Sequence, residues 1–187
     1  MKIYTRKTLS KQKGFTAIEL LFALGIIAVA TVVIVKAMSS NSDKAKAQQM
    51  IQDVSALVDN IKGAYSSSTD GYTGLDTASV IAGKLYPSDL NISGTNLDSQ
   101  FSGGSIVIAS SDASSFGITY NNVPSAVCSE VVSKLADETF SDISVNGTSM
   151  YSTGAGGGKV DPTAISNACG TAGAGGGLPS IVFTVTN

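Results

Sequence analysis

The 187-residue chain has no histidine and no tryptophan, and holds only two cysteines and four prolines. Without histidine there is no Ser-His-Asp or Cys-His nucleophilic machinery, and no ligand set for a zinc site. Cys128 and Cys169 lie too far apart for a CxxC redox motif. They read as one structural disulfide of an extracytoplasmic domain, the competing reading being two separate buried thiols. Charge is scarce as well, at 14% of residues, and the sequence pI of about 4.9 with no basic stripe beyond the N-terminus excludes nucleic acid as a partner. Neighbouring Asp137 and Glu138 point different ways on a predicted helix and read as solvated rather than as an acid/base pair. No enzyme is expected, and neither a cofactor nor a metal.

What the chain does have is an uneven charge distribution and one long apolar run. Lys2, Arg6, Lys7, Lys11 and Lys13 precede Phe15 with no acid among them. Without those five, seven basic residues face fourteen acids, a net charge of −7. Residues 15–35 then carry Glu19 as their only charge, and a helix of that length is ~31 Å long, the thickness of a hydrocarbon core. Lys36 closes the run, and the basic leader predicts a cytoplasmic N-terminus with the remainder outside. A secretory signal peptide fits poorly, because its apolar core is ~7–15 residues long and a small-residue cleavage site should follow. A plain signal-anchor helix leaves Glu19 unexplained, and a charge within a span marks function.

The stretch "KGFTAIEL" joins a basic leader ending in Gly14, then Phe15, then Glu19 four residues on, then an unbroken apolar helix. This joint pattern resembles the prepilin signature of type IV pilins and of their relatives, the type II secretion pseudopilins. The resemblance implies a leader (1–14) cut by a membrane-embedded prepilin peptidase between Gly14 and Phe15, followed by N-methylation of Phe15. It implies no catalytic residue in the chain itself. An assembly and transmembrane helix (15–35) would continue as an amphipathic helix (36–66) into a globular head (67–187) with a disulfide-bounded region (128–169). Partners implied are further copies in a homopolymer, the peptidase, the inner-membrane assembly machinery, the membrane itself and a ligand on a host or recipient cell. The precursor would sit in a bacterial inner membrane and the mature chain in an extracellular filament.

Cleavage would explain the buried carboxylate. The new amine of Phe15 stands about one helical turn from Glu19, and in a helical assembly Glu19 of one subunit can pair with the Phe15 amine of a neighbour. Neither charge is then left alone in a medium of low dielectric constant, where each would be heavily penalised. The pair is a register device: a wrongly staggered subunit buries an unpaired charge.

Farther on, Ile51, Val54, Val58, Ile61 and Tyr65 recur at helical spacing and predict an apolar stripe that packs on a sheet. A short helix capped by Asp76 and stopped by Gly83 is expected next, then strands over 105–110 and 115–123. A helix over 124–139, with Pro124 near its first turn, carries Val127, Val131 and Leu135 on one face. A strand at "DISVNG" with an Asn-Gly turn, a short helix capped by Asp161 with Pro162 first, and a last strand in "PSIVFTVT" complete the chain. The expected fold class is α+β: a long N-terminal helix, its hydrophobic half projecting, packed on an antiparallel sheet with one C-terminal disulfide.

"GAGGGKV" (154–160) fails the phosphate-loop pattern, since Thr153 stands where the first glycine belongs and Val160 where Ser or Thr should follow the lysine. "NIS" (91–93) and "NGT" (146–148) match the N-glycosylation sequon but read as turns. The preferred function is a major pilin, polymerised for adhesion, aggregation or conjugative cell contact. A pseudopilin or minor pilin is the related alternative, and a membrane-anchored carbohydrate-binding protein the unrelated one. The enclosed region and the Gly-rich head look like the type IVb subgroup, whereas the short leader and Phe15 look like type IVa.

Overall fold

No proline interrupts the first 86 residues, and one unbroken helix, α1, runs from Ala17 to Tyr65. The computed structural model describes residues 17–137, 139–154, 158–173 and 176–186; within α1 the side chains at 17, 19, 23 and 25–41 fall outside that description. The chain divides into two units with the boundary between Asn41 and Ser42.

In the second unit, Ala47, Met50, Val54, Leu57, Val58 and Ile61 form the fully buried face of α1. That face is rotated from the 51/54/58/61/65 stripe. Its centre lies at Val54 and Ile61, with Met50 and Leu57 on the flank away from Ile51, so Ile51 is only half-buried. The apolar side chains of α1 cover a wider arc than a single row at three- and four-residue spacing, and the sheet selects the side where Met50 and Leu57 can also be buried. Tyr65, at the helix end, is half-buried and packs on Tyr72, ring centroids 5.8 Å apart.

The rest of the head alternates short helices with strands: α2 (Thr77–Ala82), β1 (Asn91–Ser93), β2 (Asn96–Asp98), β3 (Ser105–Asp112), β4 (Ser115–Tyr120), α3 (Ser125–Leu135), β5 (Asp142–Val145), β6 (Thr148–Ser152), α4 (Pro162–Gly170) and β7 (Ile181–Thr186). The strands form one seven-stranded sheet in the order β1-β2-β3-β4-β7-β5-β6, antiparallel at every pairing. The fold is therefore α+β, as expected from the sequence. β7, which follows α4, is inserted between β4 and β5 in the middle of the sheet.

Alternation along the strands decides which face is covered. Ile106, Ile108, Phe116, Ile118, Tyr120, Ile181, Phe183 and Val185 are buried, while Val107 and Ala109 between them face solvent. Phe183 is the hub, with Tyr120 and Phe140 rings 6.3 and 5.4 Å away. β2 pairs with only Ser105 and Ile106 of β3. Beyond them the edge of β3 is taken up by the entry to α2: Thr77 accepts from the Ile108 N–H (2.9 Å) and the Ser110 N–H donates to the Leu75 carbonyl (2.8 Å). An open edge is thereby closed. Asp76 caps α2 through a reciprocal pair with Ser79: the Ser79 N–H donates to Asp76 Oδ1 at 2.7 Å and the Asp76 N–H donates to Ser79 Oγ at 2.9 Å.

Several elements differ from the sequence expectations, β3 among them, which runs to Asp112 instead of stopping at 110. β4 stops at Tyr120, because Asn122 adopts a left-handed backbone (φ 61°) that ends extended pairing. α3 ends at Leu135, after which the Asp137 carboxylate accepts from the Thr139 N–H (2.9 Å) in a turn. The β1–β2 hairpin, turning at Gly94 (φ 66°), was not expected, because three-residue strands show no periodicity.

Leu57→Ala should cost ~2–5 kcal/mol of unfolding free energy, and Ile51→Ala clearly less. Denaturant titration of both variants checks the rotated face; equal losses would contradict it.

Candidate functional site

The first described turns of α1 present Ile18 (65% exposed), Leu20, Leu21, Phe22 (70%) and Leu24 to the surroundings. At 100° per residue these five positions cover an arc of about 200°, wider than the apolar stripe of a surface helix. A helix that is apolar on all sides belongs in a protein interior or in lipid. Glu19 is placed among them by the backbone of α1, and its side chain lies outside the described residues, as do Gly14 and Phe15 altogether. Most side chains of the expected 15–35 span are likewise outside the description. Among the described residues no helix is long and apolar enough to cross a membrane.

In the head, Cys128 on α3 and Cys169 on α4 form a disulfide, Cα atoms 5.7 Å apart, with both residues fully buried. The sequence had left open two separate thiols, and the bridge settles that choice. It spans 41 positions and encloses the rest of α3, β5, β6 and nearly all of α4.

A second tie acts on the same region. Asn146 sits at the turn between β5 and β6 in a left-handed conformation (φ 51°), followed by Gly147 (φ 79°). Its Nδ2 donates to the carbonyls of Ala168 and Thr171, each at 3.3 Å, and its Oδ1 accepts from the Ser180 N–H at 3.0 Å. One amide thus joins the hairpin turn, the end of α4 and the entry to β7. The "NGT" sequon is thereby explained as a structural turn, its amide already engaged, whereas Asn91 of "NIS" is exposed on β1.

The remaining motifs carry no chemistry. Lys159 lies in a connection that leads to Asp161, whose carboxylate caps α4 by accepting from the Thr163 N–H (2.8 Å). A shallow cleft of about 480 Å³ is lined by Asn122, Ser125, Thr171, Leu178 and Pro179, with no aromatic ring among its described residues on which a sugar could stack. Glu130 is paired with Lys134 at 2.9 Å on the exposed side of α3, and that hydrogen bond holds its carboxyl below the usual range. Sequence reasoning passed over Asp53, a carboxylate 2% exposed inside the core. Its signal was its place on the helical wheel next to Leu57.

A protein-family model described as PilS, PilS N terminal, matches residues 44–186. Among solved structures, the head is similar to a type IVb pilin from Salmonella typhi, with TM-score 0.57 and 22% identity over 73% of this chain and 97% of that one. No curated protein matches the chain.

Replacing both cysteines by serine should destabilise the head by ~4 kcal/mol, the chain-entropy value for a loop of this length, read as a lower unfolding midpoint. Asn146→Gly relieves the positive φ yet removes all three amide bonds, so a net loss of at least ~1 kcal/mol is expected. A neutral or stabilising result would mean that the turn conformation alone matters.

Proposed function

Because the chain belongs to the PilS N-terminal family and is a type IVb-like pilin, a structural subunit of a type IV pilus, we propose that its α1 acts twice: first as a membrane anchor, then as the spine of the polymer. The observation that carries this reading is the broad arc of exposed apolar side chains at Ile18, Leu20, Leu21, Phe22 and Leu24. Burying such side chains is worth ~1.5–3 kcal/mol each, and lipid or neighbouring helices can supply the burial.

In this reading the precursor sits in the inner membrane with Lys2, Arg6, Lys7, Lys11 and Lys13 on the cytoplasmic side. Prepilin peptidase cuts after Gly14, where the lack of a side chain lets an extended backbone enter a narrow cleft, and Phe15 is N-methylated. Glu19 then selects the stagger at which its carboxylate meets the Phe15 amine of an adjoining subunit. Assembly moves the apolar half of α1 from lipid to the filament core, so little apolar surface changes its exposure, and the charge pair discriminates between registers. The filament serves adhesion, aggregation or conjugative contact. The head meets the outside with its cross-linked region, whose disulfide tolerates an oxidising environment.

Glu19→Ala should be processed normally while filaments recovered by shearing fall at least tenfold (about 1.4 kcal/mol of register energy). Normal piliation would remove the register role. Gly14→Val should leave a precursor that retains its fourteen-residue leader, visible by intact mass spectrometry. Normal cleavage of that variant would place the cut elsewhere. Abundance in the sheared fraction also separates a major pilin from a minor pilin or pseudopilin.

A further inference from the structure

Two stretches match the acceptor sequon N-x-[ST], and the fold treats them oppositely. Asn146 is spent on structure, its amide hydrogen-bonded to Ala168, Thr171 and Ser180 at a left-handed turn. Asn91, Ile92 and Ser93 are all exposed, and they form β1, the outermost strand of the sheet. No other described residue hydrogen-bonds the Asn91 side chain. Side chains two apart along a strand share a face, so the Asn91 amide and the Ser93 hydroxyl are presented together. Exposure continues through Gly94, Thr95 and Asn96 around the turn. The hairpin is also lightly held: β1 pairs with β2 alone, and β2 meets β3 only at Ser105 and Ile106. Such an edge can leave the sheet and enter a foreign cleft without disturbing the centre.

Two further features surround Asn91. Asp89, two positions before it, is exposed, and its Oδ2 accepts from the neutral Gln49 amide at 3.1 Å. Among the described residues no lysine or arginine pairs with it. The stretch "DLNIS" (89–93) therefore offers an enzyme a free carboxylate ahead of the sequon, where the other sequon has Ser144. Beside Asn91 lies a shallow hollow of about 440 Å³, lined by Lys84, Tyr86, Ser88, Leu90 and Ile92. Half-buried Tyr86 supplies an aromatic ring, and Lys84 a hydrogen-bond donor, against which a sugar could pack. We propose that Asn91 is a glycan acceptor, recognised through Asp89 and Ser93 by an extracytoplasmic oligosaccharyltransferase whose donor is a polyprenyl-diphosphate-linked oligosaccharide.

In the transfer, Asn91 Nδ2 attacks the anomeric carbon of the first sugar. The carbon–nitrogen bond forms as the bond from that carbon to the diphosphate oxygen breaks. The lipid diphosphate leaves with the electron pair, and one Nδ2 proton is released to solvent, so nothing is oxidised or reduced. The Asp89 carboxylate takes no part in bond making; it docks the strand against a basic group of the transferase. The site rests on the proposed placement of the head outside the cytoplasm, where the transferase works. Once attached, the glycan packs over the hollow beside Tyr86 and blocks the β1 edge against pairing with another chain.

The test weighs the mature chain from sheared filaments of the producing cell, intact and after digestion. Expected is a mass excess of whole sugar residues on the peptide that holds Asn91, and none on the peptide that holds Asn146. Asn91→Gln and Ser93→Ala should abolish it, Ser93→Thr should keep it, and Asp89→Asn should lower occupancy about tenfold. Filaments whose chain carries no sugar, or carries it only on other residues, would overturn the acceptor. Undiminished occupancy in Asp89→Asn would overturn the charged grip. If the chain reaches no filament, the pilus reading is what fails, and the site is decided on the full chain in detergent micelles. The probes are then a purified bacterial oligosaccharyltransferase and a synthetic polyprenyl-diphosphate oligosaccharide. Transfer to Asn91 of the folded chain supports the site, and no transfer overturns it.

Discussion

An apolar helix with a single carboxylate near its head has no comfortable place in water. Ile18, Leu20, Leu21, Phe22 and Leu24 stand exposed around α1, and the sequence continues without another charge to Val35. Lipid can take such a helix, and so can a bundle of copies of itself, but each leaves Glu19 to be matched. A partner for that carboxylate has to come from outside the helix, and cleavage beside Phe15 would create one. The proposed life of the protein, from membrane precursor to filament, follows from supplying that partner.

The head answers a different constraint. It is small, and it must stay folded outside the cell. Its sheet is closed at both ends of the sequence: α1 lies over the covered face, and β7 returns to pair with β4 and β5. The cross-linked region is held twice, by Cys128–Cys169 and by the Asn146 amide. Those two ties converge on α4, which has only nine residues and would be marginal alone.

Much of this was legible in the sequence, for identifiable reasons. Asp76 with Gly83, Asp161 with Pro162, and the β-branched run 181–186 announce their elements by local chemistry, and each element forms where that chemistry puts it. The α+β class followed from their order. Position on the wheel was less legible, because α1 carries more apolar surface than the sheet covers, and only packing shows that Leu57 is inside while Ile51 is at the margin. The hairpin of β1 and β2 was hidden by its brevity, and β6 by a Thr-Ser-Met-Tyr-Ser run without clear alternation. Asp53 was hidden for the opposite reason: a charge in an amphipathic helix reads as solvated, and only the packing shows it 2% exposed in the core. The N-terminal signature at Gly14, Phe15 and Glu19 is legible only as sequence, since in the proposed reading it would meet a protease and neighbouring copies rather than this fold.

The measurement that bears most directly on the central claim is a filament reconstruction by electron cryomicroscopy at side-chain resolution. The account predicts a chain starting at N-methylated Phe15, its amine within ~2.7–3.5 Å of the Glu19 carboxylate of a neighbouring subunit inside the core. A chain that still carries residues 1–14, or a Glu19 turned to solvent with no amine beside it, would contradict the account.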